Sequence, residues 1–86
     1  MPGVEEVKLH IAVSIDEIER AVVGMRAVTE RLDEALVRLR LAVSGSAHDQ
    51  AAEATARLTQ ARERLAEAQT LALGAIEAAQ SYHALI

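Results

Sequence analysis

Apolar residues recur every three or four positions along nearly the whole chain, the spacing that gathers side chains on one face of a helix. In the first half the series runs Val4, Val7, Ile11, Ile15, Ile18, Val22, Met25, Val28, Leu32, Leu36, Leu39 and Val43. In the second it runs Ala47, Ala51, Ala54, Leu58, Ala61, Leu65, Ala68, Ala72, Ala75, Ala79, Tyr82 and Ile86. The two series mirror one another about Gly45, so that Leu36 falls opposite Ala54 and Ile18 opposite Ala72. This pattern predicts an all-α fold, an antiparallel two-helix hairpin of coiled-coil type. Bulky aliphatics on the first helix face mostly alanine on the second, which draws helix axes toward the short end of their usual range. A repeat near 3.5 residues adds a left-handed twist with a crossing angle of about 20°.

The boundaries follow from turn and capping chemistry. Met1, Pro2 and Gly3 form a lead that cannot extend a helix backward, and Glu5 and Glu6 suit the positive end of a helix starting near residue 4. That helix is expected to run to about Val43, with Arg38 and Arg40 complementing its negative end. Ser44-Gly45-Ser46 forms the turn, where Gly45 can take the left-handed conformation, and Ser46 with Asp49 resembles a capping box. The second helix is expected over about 47–85, and residues 1–86 form one domain. Glu34 with Arg38 and Glu53 with Arg57 are spaced for i,i+4 ion pairs worth about 0.2–0.5 kcal/mol each.

A second heptad-spaced line crosses the back of the first helix: Leu9, Val13, Val23, Ala27, Val37 and Leu41, interrupted by Asp16, Arg20, Glu30 and Glu34. A lone hairpin of this size buries little surface, so this line is read as the interface of a homodimer, giving a four-helix assembly, or as the seat of a homologous helical partner. It is symmetric about Met25. An antiparallel two-fold pairing would set Leu9 against Leu41, Val13 against Val37, Val23 against Ala27 and Arg20 against Glu30, with Asp16 facing Glu34. The candidate interface is therefore Leu9, Val13, Arg20, Val23, Ala27, Glu30, Val37 and Leu41.

Composition narrows the functional classes. Apolar types make up 51% of the 86 residues and aromatics 1%, as long aliphatic helices permit. Cysteine is absent, which removes thiolate nucleophiles and thiolate metal sites. The net charge of -4 is spread over both halves, with Arg interleaved among Glu and Asp, so no basic patch predicts nucleic-acid binding. The longest uncharged stretches, Ala68–Ile76 and Ala78–Ile86, are far shorter than the roughly 20 residues of a transmembrane helix. With Glu5 and Glu6 near the amino terminus, no cleaved signal peptide is predicted either. The expected location is cytoplasmic, or outside the cell by a route that reads no such signal.

Candidate chemistry is thin. His10, His48 and His83 lie far apart in sequence and none belongs to a ligand motif such as the Glu-x-x-His of di-iron bundles, so no metal or cofactor is expected. Ser44 and Ser46 lack the strand and flanking glycines of a nucleophile elbow, and capping accounts for them. No catalytic residue is predicted and the chain is read as a non-enzyme. Gly24 and Gly74 interrupt the helices, marking either close approach of another backbone or simple tolerance. Tyr82 is expected to pack at the open end of the hairpin.

A small, acidic, cysteine-free hairpin with Gly45 at its turn resembles the Trp-x-Gly helical-hairpin proteins exported by bacterial type VII secretion. Val43-Ser44-Gly45 occupies the place of the Trp-x-Gly turn, and Tyr82 with Ile86 stands where that family has Tyr-x-x-x-Asp/Glu. The second half, with Ala56-Arg57-Leu58 and Ala75-Ile76-Glu77-Ala78-Ala79, is also similar to small actinobacterial hairpin proteins, and eight Arg against one Lys suit a high-GC genome. The resemblance implies a secretion-associated protein that binds other helical proteins. Two further readings stay open: a cytoplasmic coiled-coil scaffold or regulatory subunit, and a helical bundle that binds a metal or small molecule.

Overall fold

The computed structural model describes residues 3–86, so Met1 and Pro2 of the predicted lead lie outside the described residues. Helix α1 spans Val4–Ala42 and α2 spans Asp49–Leu85. The longest dimension of the molecule is 63 Å and the others are 19 and 16 Å, so one helix length, about 58 Å for α1 at 1.5 Å per residue, accounts for the whole rod. The helices therefore lie side by side and antiparallel, as predicted. Gly3 precedes α1, and Glu5 and Glu6 occupy its first turn.

The turn differs in detail from its prediction. Val43 caps α1 by donating to the Leu39 carbonyl at 3.0 Å, and Ser46 then donates to the Val43 carbonyl at 2.9 Å, with Gly45 between them at φ +77°. The left-handed glycine is where the sequence placed it. However, α2 begins at Asp49 rather than Ala47, and the Ser46–Asp49 capping box does not form. His48 is the N-cap and makes no side-chain cap, while the Ser46 hydroxyl accepts from the His48 amide at 3.3 Å. Asp49 still acts on the helix as an anion in its first turn.

Helix α1 stops at Ala42 instead of Val43, and the longer turn, residues 43–48 where 44–46 is expected, changes the register. Asp33 of α1 pairs with Arg62 of α2, and Leu36 shares a shallow interhelix cleft with Thr59. Both pairs are centred between Ala47 and His48, about two positions past Gly45. The mirror rule had put Leu36 opposite Ala54; the longer turn displaces α2 by about one helical turn along α1.

The seam also keeps a stricter heptad than the apolar series suggested. In α1 it passes from Met25 to Thr29 and Leu32, leaving Val28 45% exposed. In α2 it follows Ala51, Thr55, Leu58, Leu65, Ala72, Ile76, Ala79, His83 and Ile86, with Ala54, Ala61, Ala75 and Tyr82 beside it and exposed. Supercoiling holds one seven-residue phase facing the partner, and a side chain one position out of phase rotates away whatever its polarity. Threonine is tolerated inside because its hydroxyl bonds within its own helix: Thr29 to the Met25 carbonyl at 2.9 Å, Thr55 to that of Ala51 at 3.2 Å. Among the described residues only Val22, Leu36 and Ile76 are buried, with Val22 and Leu36 each 3% exposed.

Candidate interaction surface

The interhelix cleft orients the rod. It is lined by Asp33, Leu36, Val37, Arg40, Thr59 and Arg62, and Asp33, Arg40 and Thr59 are the residues that follow the seam positions Leu32, Leu39 and Leu58. Residues just after a seam position thus turn to this side on both helices, and residues just before one turn to the opposite side. The hydrogen bond to Asp33 and its charge hold the Arg62 guanidinium above the usual arginine range. Both side chains are 45% exposed, so the pair is a solvated clamp that marks register more than it stabilises.

The two sides differ in character. The cleft side carries Glu5, Asp16, Glu19, Glu30, Asp33, Glu63 and Glu77 against Arg26 and Arg40. The opposite side carries Arg31, Arg38, Arg57 and Arg64 against the single acid Glu17. Between these arginines run two uncharged lines flanking the seam. One is Val7, Ser14, Ala21, Val28, Ala35 and Ala42 of α1; the other is Ala54, Ala61, Ala68, Ala75 and Tyr82 of α2. Leu71 and Leu85, 75% and 83% exposed, stand at its edge. We call this the alanine face.

The predicted interface on the back of α1 is exposed along its length: Leu9, Val13, Val23, Val37 and Leu41 are all solvent-facing, as are Arg20, Ala27 and Glu30. Arg20 reaches Asp16 of its own helix at 3.0 Å. The structure places the eight residues on one outer stripe, of which Val37 borders the cleft that Thr59 and Arg62 of α2 also line. The apolar periodicity puts Val7, Val28 and the line from Ala54 to Tyr82 in the hairpin seam; the unbroken seven-residue spacing of that α2 line is the signal that separates it.

Among the described residues no three His, Asp or Glu side chains converge as a metal site. No described helix is long and apolar enough to cross a membrane. Glu53 pairs with Arg57 at 2.7 Å as predicted, whereas Glu34 and Arg38 form no ion pair. Gly24 and Gly74 have no atom within 4 Å of the position a Cβ would take, so neither is required by packing within the hairpin. Tyr82, expected to pack at the open end, is 52% exposed and His83 takes the inward position. Comparison with known protein families, with curated proteins and with solved structures gave no match.

Proposed function

We propose that this chain is a non-catalytic protein-binding hairpin whose fold is completed by helices supplied from outside it. The observation that carries this reading is the shortage of interior. A compact monomer of 9.2 kDa exposes about 4,900 Å², and this rod exposes 6512 Å². Its radius of gyration is 19.3 Å where a compact domain of this length has about 12 Å. A partner helix laid along an exposed apolar line, such as Leu9–Leu41 on the back of α1, removes that surface from water.

Native-state hydrogen exchange on dilute, monomeric protein tests the reading. Amides along both helices should exchange through a global opening of only a few kcal/mol. A monomer whose central amides were protected by more than about 8 kcal/mol, ordinary for a complete domain, would need no partner and would end the proposal. The secretion-associated role implied by the Trp-x-Gly resemblance rests on the hairpin architecture and the Gly45 turn, and a scaffold or regulatory role would use the same surfaces inside the cell.

A further inference from the structure

We infer that the alanine face is where a second copy of this chain docks, antiparallel, with Gly24 of α1 and Leu71 of α2 at the two-fold axis. The inference rests on the protein-binding reading above and names its partner and surface.

The argument begins with level. Asp33 and Arg62 stand at one height on the rod. Nine residues down α1 from Asp33 is Gly24, and nine residues on along α2 from Arg62 is Leu71, so these two share a height as well. Both precede seam positions and therefore lie on the alanine side. Gly24 is one residue from the midpoint of α1, so a two-fold axis here overlaps the rods over their full length.

Such an axis lies in the contact plane across the rods, and sets α1 against α1 and α2 against α2 in opposite directions. Under it no arginine meets an arginine: Arg38 falls opposite His10, and Arg57 and Arg64, which pair with Glu53 and Glu67 of their own helix, fall opposite Leu85 and Ala78. Glu17 of one copy meets Arg31 of the other, twice per dimer, using the only acid on this side. Val28 falls beside Ala21 and the projecting Tyr82 beside Ala61, each pair within one residue of level. The two copies of Gly24 meet at the centre, where the missing Cβ, unexplained within one chain, permits close approach of the backbones.

The back of α1 serves a second copy less well. There Asp16 and Glu34 would meet as like charges while Arg20 is already held by Asp16, and only one helix of each copy would take part. The excess exposed surface of about 1,600 Å² per chain is about twice the roughly 800 Å² per partner of a standard interface, so a face spanning both helices is called for.

Sedimentation equilibrium of the full chain with charge-swap variants tests this. Wild type should be a dimer at tens of micromolar. E17R and R31E should each raise the dimer Kd by about tenfold or more, and the double swap E17R/R31E should return it to within about threefold of wild type. Gly24→Leu should abolish the dimer while its circular dichroism stays helical, and Val23→Glu on the outer stripe of α1 should leave the dimer intact. The inference is overturned if wild type is monomeric at several hundred micromolar, if the double swap does not restore association, or if Val23→Glu dissociates a dimer that E17R leaves whole. A monomeric wild type with weak exchange protection would defeat this inference alone and leave the protein-binding reading standing.

Discussion

Truncating Leu36 to alanine probes the seam at its best-packed point. Leu36 is 3% exposed, among residues that are mostly half-buried, so the deletion leaves a void that its neighbours close only in part. Fully enclosed leucines lose 2–5 kcal/mol on such truncation, and the upper figures belong to sites walled on all sides. The cleft beside Leu36, between Asp33 and Arg62, gives one wall of this site access to solvent. A loss near 3 kcal/mol is therefore expected. For a chain of this size, where each kcal/mol moves the melting midpoint by about 4–8 °C, that corresponds to a drop of roughly 12–24 °C. The matched control is Leu41→Ala, whose side chain is 74% exposed and whose loss should stay below about 0.5 kcal/mol. Urea unfolding followed by helical ellipticity, at two protein concentrations so that association is visible, gives both values. If Leu36→Ala cost less than about 1 kcal/mol, or no more than Leu41→Ala, the seam assigned here would be wrong.

Gly45→Ala should destabilise by about 1–2 kcal/mol because φ +77° is strained for any residue with a Cβ, whereas Gly74→Ala, which meets nothing within 4 Å, should stabilise by up to about 1 kcal/mol; denaturant midpoints read both. Arg62→Leu places an apolar side chain in a seam position, so the melting midpoint should rise by a few degrees while exchange protection near the turn becomes less uniform as the register clamp is lost. The Asp33 contact raises the Arg62 pKa above its unfolded value, so the contribution of that shift is complete below the arginine range and vanishes only as pH climbs through it. Accordingly, wild type and Arg62→Leu should show the same stability difference at pH 6 and pH 9. Elemental analysis of protein purified without chelators should show no stoichiometric metal; one equivalent would favour the metal-binding reading over the protein-binding one. If the type VII resemblance reflects function, a tagged copy in an actinobacterial host should reach the medium and fail to do so when the secretion ATPase is disabled.

Helix content, antiparallel arrangement and the left-handed Gly45 were legible in the sequence because they rest on local rules: apolar spacing, anions at helix starts and a glycine that no other residue replaces cheaply. The seam phase was not fully legible. Val28 beside Thr29 and Ala75 beside Ile76 offer two helical lines one position apart, and counting apolar types alone favours whichever line contains fewer hydroxyls. The threonine bonds to Met25 and Ala51 remove that objection only once backbone geometry is known. Register failed for a different reason: mirror counting assumes a turn symmetric about Gly45, and His48 joined the turn instead of the helix. The interaction surface was half legible. Leu9, Val13 and Leu41 announced themselves as aliphatics outside the seam, but Ala54, Ala61 and Tyr82 had been absorbed into it.

The placement of both described ends, Gly3 and Ile86, at the tip opposite Gly45 has a mechanical consequence. Tension applied between them peels the rods apart one turn after another, so each increment of extension breaks a few contacts in series and the rod should part at low force. Pulling instead from the Gly45 tip against one end would shear the whole length at once, and the same molecule should resist far more strongly.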